Sequence, residues 1–151
     1  MDNIQELYQD MILDHNRNPR NFKVLEDPTH TAHGINPLCG DDYHVHLKIS
    51  EDDILDDIGF YGDGCAISKS SASMMTRFLK GKSIDELTTI KDAFLSLLIE
   101  ENPRNQNTLL ENLIIFKGVK EFPVRVKCAT LVWRTLEAAL SQKDGGEVTT
   151  E

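Results

Sequence analysis

The sequence predicts an α+β fold: a helix, then a small antiparallel sheet of about three strands, then further helices to a total of about five or six. Three observations carry this expectation. Ile4, Leu7, Tyr8, Met11 and Ile12 recur at the spacing of one helical face. Tyr43, Val45, Leu47 and Ile49 alternate with His44, His46, Lys48 and Ser50, the period of a half-buried strand. From Ala66 onward the apolar residues return to helical spacing.

The first helix spans residues 3–16 and stops in the Asn16–Arg20 segment, where Pro19 forbids easy continuation. A polar loop rich in Pro, Thr, His and Gly runs to Cys39, with His30 and His33 exposed in it and room for a third strand at residues 22–26. The strand at 43–50 pairs with a second at 54–61 across an acidic turn, in which Asp52, Asp53, Asp56 and Asp57 are solvated.

Ala66 opens a helix carrying Met74, Met75, Phe78 and Leu79 as core residues, and Gly81 ends it. Ser83 with Glu86 three residues on is a capping box for the next helix, which carries Leu87, Ile90, Phe94, Leu97 and Leu98. Pro103 and its Asn-rich neighbours break that helix. Residues 107–116 form a short helix, with a strand at Leu113–Phe116 as the alternative. The last helix starts after Pro123 and carries Val126, Leu131, Val132, Leu136 and Leu140. Residues 1–151 make a single domain, with 143–151 as a frayed tail.

Composition narrows the function. The chain is 40% hydrophobic and 27% charged, as soluble globular proteins are, and carries a formal net charge of −9. Such a surface repels phosphate backbones and anionic membranes, which argues against nucleic-acid and membrane partners. The acidic N-terminal stretch lacks the cations of a signal peptide, and no apolar run approaches a membrane span, so a cytoplasmic location is expected.

The chain has three cysteines, an odd number that cannot fully pair within it. Cys39 sits in Pro37-Leu38-Cys39-Gly40-Asp41 and Cys65 in Gly62-Asp63-Gly64-Cys65. A hairpin over residues 43–61 brings these two loops together. Cys65 also precedes a helix, whose first N–H groups stabilise a thiolate. Cys128 follows Arg125 and Lys127, cations that would lower its pKa if close. With Asp41, three thiolates suit tetrahedral Zn²⁺ or a partial shell for iron and sulfide. No CxxC knuckle is present, so spacing alone leaves buried structural thiols and a metal or reactive site open side by side. His44 and His46 share a strand face that reads as solvated, with metal ligation as the lesser reading. The serines at 68, 70, 71 and 73 lack a matching His–Asp pair, and no phosphate-binding glycine loop appears.

The motifs add a resemblance. Ile12-Leu13-Asp14-His15, Asn18-Pro19-Arg20-Asn21, Asn36-Pro37-Leu38-Cys39-Gly40-Asp41, Gly62-Asp63-Gly64-Cys65-Ala66-Ile67-Ser68 and Arg125-Val126-Lys127-Cys128 resemble the IscU/SufU/NifU-type iron–sulfur scaffold family. They spread over nearly the whole chain. Lys127, where IscU members carry His, and the long segment between Cys65 and Cys128 resemble the SufU-like branch. The resemblance implies Cys39, Asp41, Cys65 and Cys128 as ligands of Zn²⁺ or of a transient [2Fe–2S] cluster, and Cys39 as sulfur acceptor. It implies a scaffold or sulfur-transfer partner of a SufS-type cysteine desulfurase rather than a turnover enzyme, delivering to an iron–sulfur acceptor or SufBCD-like machinery. On this reading a thiolate leaves the metal to attack a persulfide, so the metal site gates the chemistry. A structural zinc module that binds another protein without sulfur chemistry is the alternative.

Overall fold

In the computed structural model, which describes residues 3–150, helix α1 (Asn3–Arg17) is followed by strands β1 (His30–Asn36), β2 (Asp41–Ile49) and β3 (Leu55–Asp63). Helices α2 (Ala66–Leu79), α3 (Ile84–Ile99) and α4 (Asn107–Leu110) come next. A 3₁₀ stretch at Glu111–Val119, helix α5 (Pro123–Ser141) and strand β4 (Asp144–Thr149) complete the chain. The α+β class stands, but the described sheet has four strands in the order β3-β2-β1-β4, and it is mixed. β1, β2 and β3 run antiparallel, whereas β4 lies parallel to β1.

Two local expectations are corrected, and one alternative is resolved. Residues 22–26 contribute only a bridge from Phe22 to Phe60, and the third strand is β1, in the stretch read as loop. Its inward residues are Ala32, Gly34 and Asn36, too small and polar to show an apolar alternation. They are small because α5 lies directly over them: a Cβ at Gly34 would overlap Thr135 Oγ1 and press on Leu131. His30 and His33 are therefore strand residues, half-buried. The expected frayed tail is edge strand β4, apart from Glu151, which lies outside the described residues. Its polar, Gly-containing sequence gives no strand period because its partner is backbone, not core. Residues 107–119 are helical, α4 and then 3₁₀, rather than a strand.

The helix caps follow the sequence. Ser83 Oγ accepts from the Glu86 N–H while the Glu86 carboxylate accepts from the Ser83 N–H. Pro123 occupies the first turn of α5, where its missing N–H costs nothing. On α1, Ile12 is buried, and Tyr8 and Met11 pack against the core, whereas Leu7 is exposed. The Ile4 side chain lies outside the described residues.

One core joins the inner sheet face to the helices, with Tyr43, Val45, Leu47, Ile58 and Phe60 from the sheet. Met74 and Met75 belong to it, and Phe78 packs at its edge. Trp133 stacks on Phe94 at 4.3 Å, and Phe94 meets Phe116 edge-on at 5.7 Å. The serines of α2 are buried rather than solvent-facing. Their small side chains let neighbouring helices approach, and each hydroxyl is matched: Ser71 Oγ donates to the Ala129 carbonyl and accepts from Trp133 Nε1.

Candidate metal centre

The site forms where the β1–β2 turn, the β3–α2 junction and the first turns of α5 meet. Asn36 and Asp41 pair across the last rung of the β1–β2 hairpin, and residues 37–40 close it. The Cys39 N–H donates to the Asn36 carbonyl, which holds the thiol at the tip of the turn. Asp41 falls on the inward face of β2 and is 2% exposed. Cys65 caps α2, with its sulfur accepting from the Ser68 N–H at 3.4 Å. Cys128 lies one turn into α5 and is 2% exposed.

Cys39, Asp41 and Cys128 converge, each offering a ligand atom within 4.8 Å of the others. The Cys128 thiol donates to Cys39 Sγ at 3.1 Å, and none of the three cysteines is in a disulfide. Cys65 borders this cluster through its backbone: its N–H donates to Asp41 Oδ1 at 3.0 Å. Its sulfur is engaged by Ser68 and stands outside the three-residue group.

The Ser68 hydroxyl lies 3.0 Å from Asp41 Oδ1, 3.0 Å from the Cys65 carbonyl and 3.3 Å from the Tyr43 hydroxyl. This crowding requires glycine at position 64. A Cβ there would come within 2.6 Å of Ser68 Oγ, Asp41 Oδ1 and Tyr43 Oη.

Protonation is set by burial. Burial drives the Cys128 thiol above the usual range, and the neighbouring Cys39, Cys65 and Asp41 push it further in the same direction. The expected lowering by Arg125 and Lys127 does not occur. Arg125 is exposed and sits over the Phe122 ring at 4.7 Å. Tyr43 is likewise raised by burial.

Asp41 Oδ2 is buried without a hydrogen-bond partner among the described residues. A buried carboxylate oxygen left unpaired is costly, and a cation is the partner that relieves it. Two sulfurs and one carboxylate oxygen are a donor set for Zn²⁺. The residues therefore fit a metal.

One support of the site and one buried histidine escaped the sequence reading, although both lie within the motifs. Asn36 is buried, and its Nδ2 approaches Cys128 Sγ at 3.8 Å. His15, 2% exposed, meets Ser73 Oγ at 2.7 Å, and Ser73 Oγ also accepts from the Arg20 N–H. Burial, reinforced by the Arg20 charge, lowers the His15 pKa to about 4, so the ring is neutral at pH 7. The only available cue was the closeness of polar residues to Pro19 and Cys39, which does not reveal burial.

Known proteins resemble this chain over nearly its whole length. The chain is 39% identical over 144 residues to the zinc-dependent sulfurtransferase SufU of Bacillus subtilis, covering 95% of this chain and 96% of that protein. It is 35% identical over 149 residues to the iron–sulfur cluster assembly scaffold protein IscU of Streptococcus pyogenes, covering 98% and 91% respectively. A crystal structure of a candidate iron–sulfur cluster assembly scaffold of the SUF system from Fervidobacterium islandicum superposes with a TM-score of 0.82. That match is 29% identical and covers 90% of this chain and 98% of the other. Residues 7–142 match the NifU-like N terminal domain, and the chain belongs to that family.

Proposed function

We propose that this protein serves iron–sulfur cluster assembly as a zinc-bound sulfur acceptor, taking persulfide sulfur from a SufS-type cysteine desulfurase on Cys39. The observation that carries the reading is the convergence of Cys39, Cys128 and Asp41, whose Oδ2 is buried and unpaired among the described residues, in one cluster. Cys39, Asp41 and Cys128 would hold Zn²⁺, with Cys65 as the fourth ligand once its sulfur turns from the Ser68 N–H about its Cα–Cβ bond. Bound zinc would keep the thiols deprotonated at neutral pH, against the effect of burial.

The cysteines then divide the work by position. Cys128 is buried and Cys65 is held at a helix cap, whereas Cys39 rides a turn beside Leu38, which is 66% exposed. Cys39 is thus the sulfur a partner reaches. Its thiolate attacks the outer sulfur of the partner's persulfide. A Cys39 persulfide forms, the sulfur–sulfur bond in the partner breaks, and the partner cysteine leaves as a thiolate, with no net oxidation. Exposed Leu38, Phe122 and Val124 flank the ligands along the chain and offer apolar contact for such a partner. Delivery would follow to an iron–sulfur acceptor or SufBCD-like machinery.

The test is metal content and desulfurase turnover. Wild type is expected to carry about one zinc per chain and to raise SufS turnover. Cys39→Ala should abolish the rise, and Asp41→Ala should lose the metal. Unchanged turnover on adding wild-type protein would sink the proposal. A scaffold role is the second reading, favoured by the same sulfur and oxygen donors, which also suit iron with sulfide. It predicts visible-range absorbance after anaerobic loading with iron, sulfide and the desulfurase.

A further inference from the structure

The side of the sheet away from the core carries a second cluster. Strand alternation places Asp41 inward and Asp42 outward, so neighbouring residues of β2 serve opposite faces. In register, Glu147 of β4, His33 of β1, His44 of β2 and Tyr61 of β3 form one row across all four strands. The His33 and His44 rings stack at 4.1 Å and 3°, and Tyr61 stacks on the other side of His44 at 4.7 Å and 6°. His33 Nε2 meets Asp42 Oδ1 at 2.5 Å, and a ligand atom of His44 lies within 4.8 Å of both. His33 Nδ1 faces Glu147 Oε2 at 3.4 Å.

We propose that His33, Asp42 and His44 form a second divalent transition-metal site, separate from the cysteine cluster, with Glu147 as a positioning residue for His33. Two imidazoles and a carboxylate are a donor set for Zn²⁺ rather than for Mg²⁺ or Ca²⁺, which prefer oxygen alone. Strand register sets the three side chains beside one another, and the His33–His44 stack would open on binding, because two parallel rings cannot both aim in-plane nitrogens at one ion. A carboxylate on the far nitrogen of a ligating histidine is the arrangement that sets its tautomer and raises its basicity. β4 contributes Glu147, so occupancy would also tie the edge strand to the sheet.

The probe is Zn²⁺ added to the metal-stripped full chain, followed by imidazole ¹⁵N shifts and by chelator competition. Wild type is expected to bind one equivalent more than the His33→Gln/His44→Gln double variant, with the ¹⁵N signals of His33 and His44 shifting during that equivalent. Glu147→Gln should weaken that equivalent by about 10-fold or more. Thiol reactivity reports the cysteine cluster separately and should be the same in wild type and double variant. Thus failure of zinc at the cysteines leaves the histidine readout intact. Unshifted His33 and His44 signals in wild type, or equal stoichiometry in the folded double variant, would overturn the proposal.

Discussion

At the scale of single residues, the cysteine pocket is shaped as much by what is small as by what can ligate. Gly64 leaves the space into which Ser68, Asp41 and Tyr43 converge. Gly64→Ala should therefore lower bound zinc and cost about 1–3 kcal/mol of stability, the usual penalty for overpacking. Metal analysis beside urea unfolding checks this, and a variant with full zinc and unchanged midpoint would contradict it. His15 makes a pH prediction. Its pKa is about 4 folded and 6.5 unfolded, so between these values the unfolded chain binds more protons. Its neutral, buried state leaves stability intact above about pH 6.5, and stability declines as pH falls toward 4. At about 1.4 kcal/mol per unit, the loss is of the order of 2–3 kcal/mol. In denaturant melts at pH 7.5 and 4.5, wild type should lose more than His15→Gln; equal losses would show that His15 does not titrate as a buried ring.

Among the elements, α2 and β4 depart most from their sequence appearance. Ser68, Ser70, Ser71 and Ser73 are polar, yet each is buried. The hydroxyls reach α1, α5 and the site, and that polarity is invisible to a period count. Ser71→Ala leaves Trp133 Nε1 without its acceptor and should cost about 1–3 kcal/mol. Calorimetry would detect it, and an unchanged melting temperature would refute it. β4 covers the outer edge of β1, pairing Thr31, His33, Gly34 and Ile35. Ending the chain at Lys143 should bare that edge. A loss of about 2 kcal/mol would lower the melting temperature by about 4–8 °C, and an exposed edge promotes concentration-dependent association. Sedimentation at several concentrations, beside thermal melts, measures both, and a monomer of unaltered melting temperature would assign β4 no role in closing the sheet.

For the whole molecule, the core and the cysteine site are physically separable. Trp133, Phe94, Phe116 and the inner sheet residues form a core large enough to persist without metal. Chelation should preserve the far-ultraviolet circular dichroism while lowering the melting temperature, and restored zinc should raise it by mass action. Complete unfolding on chelation would instead favour a structural zinc module. Among the described residues, no helix is long and apolar enough to cross a membrane.

The sequence by itself determined the α+β class, the β2–β3 hairpin, the Ser83–Glu86 cap, the Pro123 start of α5 and the family. Each rests on a local period or a contiguous motif. It also brought Cys39, Asp41 and Cys65 to one end of the sheet, because hairpin geometry links positions far apart in the chain. Only the tertiary structure decided that β1 and β4 are strands, since their sequences answer to α5 and to a backbone partner rather than to a core. Only it set the thiols' surroundings: Cys128 is raised by burial although cations precede it, and the Cys65 sulfur serves a helix cap. Burial and cross-strand register depend on residues distant in the chain, so no local pattern encodes them.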